Sequence, residues 1–237
     1  MSDYVIKYGG KSLEDVAPVK VDDIVVSPVR FAQTTRGRAI QYGTEFVRNR
    51  AESRTVTITF ALLDSSISDR EQALQDLRDW AKTDTERNLT LPQFADRHLE
   101  CVCTQHPDSS YRKWWENKLS FVFTCYNNPF WTSDEVVSVR CGSEFSVGGS
   151  APPVMTIENY STIAIQNQSF ASKTESMRFT TIPAGSMVID LNRQTAAIGN
   201  ASFMKYFVPT TKFIVPKIGA RQVITGVGYV NYRERWV

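Results

Sequence analysis

The 237-residue chain has few of the residue types from which catalytic sites are usually built. It contains two histidines, His98 and His106. Histidine is the side chain that most often exchanges protons near neutral pH, so this scarcity argues against acid–base catalysis. No Gly-x-Ser-x-Gly elbow and no Walker phosphate loop occurs in the sequence. A hydrolase whose triad assembles only in space stays open as an alternative. We nevertheless expect a protein that is not an enzyme.

The chain also lacks a strong charge and a long apolar run. Its 27 basic and 25 acidic residues leave a net charge of +2, which favours neither nucleic acid nor an anionic membrane as a partner. No apolar run approaches the roughly 18 residues of a spanning helix. The first residues do not resemble a secretory signal, because Lys7 interrupts the apolar run at once. We expect a protein that is made and soluble in a cytosol.

Cysteine is the last scarce residue type with a bearing on chemistry. The four cysteines are Cys101, Cys103, Cys125 and Cys141. The Cys-x-Cys spacing of the first two differs from the Cys-x2-4-Cys spacing of zinc sites, and only the two histidines lie near it. Buried free thiols are the favoured interpretation, since cysteine is among the most buried residue types. We predict neither a metal nor a cofactor.

Apolar residues alternate with polar ones in several segments, and this alternation predicts half-buried β-strands. In the clearest segment, Val56, Ile58, Phe60 and Leu62 alternate mainly with threonine. Shorter runs of the same kind lie at residues 99–103, 119–126, 187–191 and 213–215. The chain is therefore predicted to be mostly β.

One helix is predicted, at about residues 69–82. Ser68 and Glu71 have the spacing of a capping box, with Ser68 as the N-cap. Leu74, Leu77 and Ala81 follow at helical spacing and form an apolar stripe beside Trp80. The first half of the chain thus predicts an α+β domain in which one helix packs on β-sheets.

The second half predicts a β-sandwich of short strands. Its apolar runs are only about five residues long and are separated by turn residues, which is typical of sandwiches. Two turn signals stand out, at residues 127–129 and at the Gly-Gly-Ser-Ala-Pro-Pro stretch 148–153. We place the domain boundary near residues 128–135, with domains at 1–130 and 131–237.

Two groups of aromatic residues are candidates for binding. Residues 105–118 connect two predicted strands and carry Tyr111, Arg112, Trp114 and Trp115, which are residue types enriched at protein interfaces. An assembly interface and a simple cover over the sheet are equally compatible with this segment. The later aromatics could form a platform for stacking sugars, although packing in the core is the stronger prediction for each: Tyr160, Phe170, Phe203, Tyr206 and Phe207.

Several short motifs occur in the order found in phage distal tail proteins. The second half has a Gly…Pro-Pro lead-in at 149–157, an apolar hairpin ending in Asp190, a Gly-Asn turn at 199–200 and an Arg-x-Arg-Trp finish at 233–236. The first half has strands, a capped helix, a Leu-Thr-Leu strand at 89–91, a long hairpin and an Asn-Pro-Phe exit at 128–130. The chain resembles that family over nearly its whole length. It departs at the first hairpin, where Gln-Tyr-Gly-Thr at 41–44 replaces the usual Gly-x-Asp-Gly turn.

The resemblance implies a virion structural protein at the tip of a phage tail. It implies a ring-forming first domain similar to tail-tube proteins and a galectin-like sandwich as the second. It leaves open whether the last strand returns to the first domain. The expected assembly is a hexameric ring that joins the tail tube protein to the tail-tip fibre or lysin and to receptor-binding proteins. The alternative is a carbohydrate-binding module that contacts a host surface glycan during adsorption.

Overall fold

The computed structural model describes residues 5–37, 44–63, 67–107 and 118–237. The chain divides into two compact units, residues 1–131 together with Val237, and residues 132–236. This division does not reveal what either unit does. The ring-forming and galectin-like roles assigned to residues 1–130 and 131–237 therefore stay predictions.

The first unit is built from antiparallel strands. They are β1 (Lys7–Tyr8), β2 (Lys11–Ser12), β3 (Val19–Val26), β4 (Arg30–Gly37), β5 (Thr44–Leu62), β6 (Arg87–Thr90), β7 (Arg97–Gln105) and β8 (Leu119–Cys125), followed at the boundary by β9 (Trp131–Ser133). Strand β5 lies between β3 and β8, and β8 pairs with β7. The sheet continues through β6 and β1 to β2. Val56, Ile58 and Phe60 of β5 are fully buried, which confirms the strand predicted from their alternation.

The helix α1 (Ile67–Ala81) covers the buried face of this sheet. Leu77 and Trp80 on its apolar stripe are buried. The Trp80 ring lies 5.7 Å from that of Tyr8 and 5.6 Å from that of Phe121, both edge-on. The predicted helix is confirmed, but the predicted N-cap is wrong. The helix already begins at Ile67, so Ser68 lies inside its first turn.

Strand β5 is much longer than the alternating segment that predicted it. Residues 54–62 pair with β8 and β3, whereas residues 44–53 pair with β4. Among the described residues, neither β4 nor this first part of β5 has a further strand beside it. Within the described ranges, the two strands thus form a two-stranded ribbon whose outer edges have no strand partner.

The second unit is a β-sandwich. Its strands are β10 (Val137–Arg140), β11 (Glu144–Ser146), β12 (Ala151–Ser161), β13 (Ile165–Ala171), β14 (Ser176–Ile182), β15 (Gly185–Asp190), β16 (Thr195–Ile198), β17 (Ala201–Ser202), β18 (Arg221–Val223) and β19 (Tyr229–Trp236). The main sheet has the order β17-β16-β15-β12-β19-β10. The opposing layer contains the hairpin β13–β14 and the pair β11–β18.

The core of the second unit lies between these layers. Met155, Ile157 and Val230 point inward from the main sheet, and Phe170 and Phe179 point inward from β13–β14. Each of these side chains is at most 1% exposed. The main sheet therefore keeps one buried and one outward face, as alternating strands do. The predicted fold class, mostly β with one described helix, is confirmed.

Two local predictions for the second unit are wrong. Pro152 and Pro153 were placed in a loop but lie inside β12, at an irregularity in its pairing with β19. Bulges are among the few places where a sheet accepts proline. The segment 213–215 was predicted to be a strand but has no regular structure. Phe213 and Ile214 are apolar because they fill the core from a loop.

Candidate functional site

The interface predicted from Tyr111, Arg112, Trp114 and Trp115 lies outside the described residues. The structure neither supports nor contradicts that prediction. The flanking strands β7 and β8 do occur as predicted, and they pair with each other.

The histidines do not form an activated nucleophilic site among the described residues. His98 is buried within β7. The Nδ1 atom of His106 lies 4.0 Å from the Cys103 sulfur, but burial raises the pKa of the Cys103 thiol to about 11. Burial, with Arg78 and Lys82 nearby, lowers the pKa of His106. At neutral pH the pair is therefore a thiol beside a neutral imidazole, without the thiolate that nucleophilic attack needs.

The cysteines behave as structural residues. All four are free thiols, and Cys101 and Cys125 are fully buried. Burial raises the pKa of Cys101 well above its ordinary value. No group of three or more histidine, cysteine or acidic residues in the described ranges is placed to hold a metal ion.

The aromatic residues proposed as a sugar platform separate into core and surface. Phe170 and Phe203 are buried. Phe207 packs on Phe179 and Phe213, with ring centroids 5.5 and 4.9 Å apart. Tyr206 is half-buried, whereas Tyr160 is 69% exposed. Four of the five therefore do not form the platform, because they lie in the core or at its margin.

Tyr160 lines a shallow groove on the outward face of the main sheet. The groove has a volume of about 430 Å³. Its lining comes from the four strands β10, β12, β15 and β19: Ser138, Glu158, Asn159, Tyr160, Ser186, Tyr229 and Asn231. Tyr229 is 52% exposed, so two tyrosine rings face solvent here. Sequence reasoning missed Tyr229 as a site residue, although the inward Val230 and Tyr232 place it on the outer face by alternation.

Strand register explains how residues far apart in sequence meet in the groove. Tyr229 of β19 lies directly opposite Glu158 of β12, and Asn231 lies opposite Ser138 of β10. Tyr160 lies opposite Ser186 of β15. Gly228 has φ +94°, and a Cβ atom at this position would overlap the Glu158 carbonyl oxygen. Only glycine therefore lets β19 begin close enough to β12 to place Tyr229 beside Glu158.

The groove holds polar groups that the fold does not use. The Ser138 hydroxyl donates to Asn231 Oδ1 at 2.7 Å, and the Thr156 hydroxyl donates to Glu158 Oε1 at 3.3 Å. In the second unit, which is described throughout, no hydrogen bond occupies the Asn231 Nδ2 group or the Glu158 Oε2 atom. Glu158 is the only charged residue of the lining. The groove can therefore both donate and accept hydrogen bonds beside two flat apolar rings.

Comparison with known proteins finds similar structures but no similar sequence. No protein-family model matches the chain, and no curated protein matches its sequence significantly. A search of solved structures finds that the chain has the fold of a phage hub protein. The particular structure is the Dit protein of phage SPP1, with a TM-score of 0.77 and 12% sequence identity. The match covers 98% of this chain and 99% of that chain.

The SPP1 protein is described as a paradigm of the hub adsorption apparatus in phages that infect Gram-positive bacteria. Chains of the phage p2 baseplate in its activated conformation, with calcium and with strontium, match with TM-scores of 0.44 and 0.42 at 8% identity. They cover 94% and 93% of this chain, and 92% and 91% of their own length. These two matches are too weak to add to the argument. The resemblance to distal tail proteins predicted from sequence motifs is confirmed for the fold.

The structure also bears on membrane association. Within the described part of the chain, no helix combines the length and the apolar character needed to cross a bilayer.

Proposed function

We propose that the chain is a structural protein of a phage tail tip, a non-enzymatic distal hub made in the cytoplasm of the host bacterium. The observation that carries this proposal is the agreement of fold with the SPP1 Dit protein over nearly the full length of both chains. A likeness confined to one unit would support only a shared domain, because common folds serve many functions. The likeness here includes both units and their order.

The hub acts by assembling as a closed ring of six copies. The ring joins the tail tube protein to the tail-tip fibre or lysin and to receptor-binding proteins. Closed rotational symmetry lets one pair of complementary surfaces build the whole ring. The ring-forming surfaces belong to the first unit, at residues 1–130.

The β4–β5 ribbon supports assembly through the first unit. A two-stranded ribbon without further support is marginally stable in water. Edges that no described strand covers present backbone donors and acceptors that another strand can satisfy. Phe31 near its base is 48% exposed, although large apolar side chains are usually sheltered from water. A neighbouring copy that covers the ribbon satisfies its edges and buries Phe31.

The solution mass of the purified protein tests the ring. Light scattering over a concentration series should detect a species of six times 26.8 kDa, and negative-stain images should show closed rings. A different closed stoichiometry contradicts the hexamer. A monomer that also fails to close on added tail tube protein contradicts the ring.

A matched pair of variants tests the role of the ribbon. Phe31→Ser should shift the mass toward the monomer, because it removes the exposed apolar contact. Val25→Ser is the control, since Val25 is 53% exposed on β3 of the same unit. Equal masses for the two variants would mean that the ribbon is not part of the interface. The ring proposal would then rest on the mass of the unmodified protein.

We also propose a second role, the binding of a host surface glycan by the second unit during adsorption. The observation that favours it is the groove on the outward face of the main sheet, with its exposed tyrosines and unused hydrogen-bonding groups.

A further inference from the structure

We infer that the groove binds an uncharged oligosaccharide, which stacks on Tyr160 and Tyr229 and hydrogen-bonds to Glu158 and Asn231. The inference rests on the proposed sugar-binding role of the second unit and adds the site and the class of glycan. It does not depend on ring assembly.

The two tyrosines supply the apolar part of the site. Tyr160 and Tyr229 are 69% and 52% exposed, and they lie on the adjacent strands β12 and β19. Neither ring contributes to the core, which lies on the opposite face of the sheet. An exposed tyrosine ring is flat and apolar with a polar tip. A pyranose has the complementary form, with a face of C–H bonds and a rim of hydroxyl groups.

The polar groups match the rim of a sugar. Asn231 Nδ2 is available as a donor, and Glu158 Oε2 is available as an acceptor. The Ser138 hydroxyl fixes the Asn231 amide, because its bond to Oδ1 leaves Nδ2 directed elsewhere. Each sugar hydroxyl both donates and accepts, so a mixed set of this kind satisfies it. Groups that are already in place lose little freedom when a ligand binds.

Charge decides between classes of glycan. The lining includes the Glu158 carboxylate and neither lysine nor arginine. Arg140 lies opposite Tyr229 in β10 but outside the groove lining. A phosphate-rich or carboxylate-rich polymer would bring like charge to Glu158, and no cation of the groove lining offsets it. An uncharged glycan meets no such repulsion.

The size of the groove fits a short segment of a chain. Sites for small molecules usually have volumes of about 300–1,000 Å³, and this groove has about 430 Å³. It is open to solvent, so a longer glycan can extend beyond it. Weak binding by one copy is then strengthened when several copies in a ring contact one surface.

The test is binding of the full chain to an array of uncharged, amino-bearing and phosphate-bearing oligosaccharides. The strongest uncharged binder is then titrated against four single variants. Tyr160→Ala and Tyr229→Ala should each weaken binding about tenfold, equivalent to about 1.4 kcal/mol. Tyr160→Phe should stay close to the unmodified protein, because it keeps the ring. Tyr126→Ala is the matched control, since Tyr126 is 57% exposed in the first unit.

Several outcomes would overturn the inference. They are an array without binding, a preference for phosphate-bearing glycans, and equal losses for Tyr160→Ala and Tyr126→Ala. Unfolding does not confuse the result, because exposed side chains contribute little to stability and each variant can be checked by thermal melting. Light scattering on the same samples reports the ring independently. An empty array together with intact rings would therefore leave the hub proposal standing and assign the exposed tyrosines to contact with a protein partner.

Discussion

At the scale of single residues, Asn192 replaces a missing strand neighbour in the second unit. Its Nδ2 group donates to the Pro153 carbonyl and its Oδ1 accepts from the Met155 N–H group, both at 2.7 Å. The Asn192 amide thus makes the two bonds that a paired strand makes. Arg235 similarly donates from Nε to the Pro152 carbonyl. These side chains let β12 pass through two prolines without leaving their carbonyl groups unpaired.

We expect Asn192→Asp to lower the free energy of unfolding by about 1–3 kcal/mol. The aspartate keeps the shape and the acceptor for Met155 but turns a carboxylate oxygen toward the Pro153 carbonyl. Urea unfolding measures the loss. Asn200→Asp, in the exposed turn before β17, is the control and should change stability by less than about 0.5 kcal/mol. Equal effects would mean that added charge, and not the lost donor, is responsible.

Cysteine reactivity gives a second prediction at this scale. Burial raises the pKa of Cys103 to about 11, so about one Cys103 in a thousand is a thiolate at pH 8. Its reaction with iodoacetamide should be slow at pH 8 and should continue to accelerate above pH 9. An ordinary thiol levels off near its pKa of about 8.5. Mass spectrometry of labelled peptides follows each cysteine separately.

The other thiols provide the comparison for Cys103. Cys101 and Cys125 are fully buried and should react only after unfolding in urea. Labelling of Cys103 in the folded protein at the rate of a peptide thiol would contradict the burial that raises its pKa.

At the scale of elements, Trp80 connects the helix α1 to several strands of the first unit. Its ring lies within 6.2 Å of the rings of Tyr8, Phe121 and Phe123. Its Nε1 group donates to the Lys11 carbonyl at 3.1 Å. One side chain thus joins the helix to strands β1 and β8 and to the backbone of β2.

We expect Trp80→Ala to lower the free energy of unfolding by about 3–5 kcal/mol, because it leaves a cavity among these rings. Trp80→Phe keeps an aromatic ring and loses the bond to Lys11, so its effect should be smaller. Urea unfolding followed by circular dichroism measures both variants. A loss of similar size in the two would mean that the hydrogen bond contributes more than the packing.

At the scale of the whole molecule, the prediction concerns assembly. The pair Trp114 and Trp115, with Tyr111 and Arg112, is proposed from sequence alone as a contact between copies or with a partner. Replacing both tryptophans with alanine should weaken the ring while the monomer stays folded. Light scattering measures the mass, and circular dichroism checks the fold.

Tyr126→Ala is the control for that double variant. It removes an aromatic side chain that is 57% exposed in the same unit, and it should leave the ring intact. An unfolded double variant would mean that the tryptophans cover the sheet, which is the other interpretation of that segment.

The elements that were predicted well have patterns that are complete within one segment. The alternation of residues 56–62 and the helical spacing from Leu74 to Ala81 each require only the residues concerned. The wrong predictions for residues 152–153 and 213–215 depended on distant partners. Residues 213–215 are apolar because the core of the second unit needs them there, and the strand at Pro152 and Pro153 relies on Asn192 and Arg235. Neither dependence can be recognised from the sequence of the segment alone.

The candidate site shows the same limit. Tyr160 was among the aromatics named from the sequence, but nothing in the sequence separated it from Phe170 or Phe203. Glu158, Tyr229 and Asn231 become neighbours only through the register of β12 and β19. Gly228 sets where β19 begins, yet its requirement for glycine depends on the approach of the Glu158 carbonyl. Long-range pairing is therefore what defines the groove.

The sequence by itself determined the fold class of this protein. Its alternation, its amphipathic helix and the order of its motifs predict a mostly-β chain resembling phage distal tail proteins, because these features can be read from short segments and their order along the chain. The tertiary structure alone decided which face of the second unit is open and which side chains share it. Strand pairing joins residues that are about 70 positions apart, as Glu158 and Tyr229 are, and a linear pattern does not encode that contact.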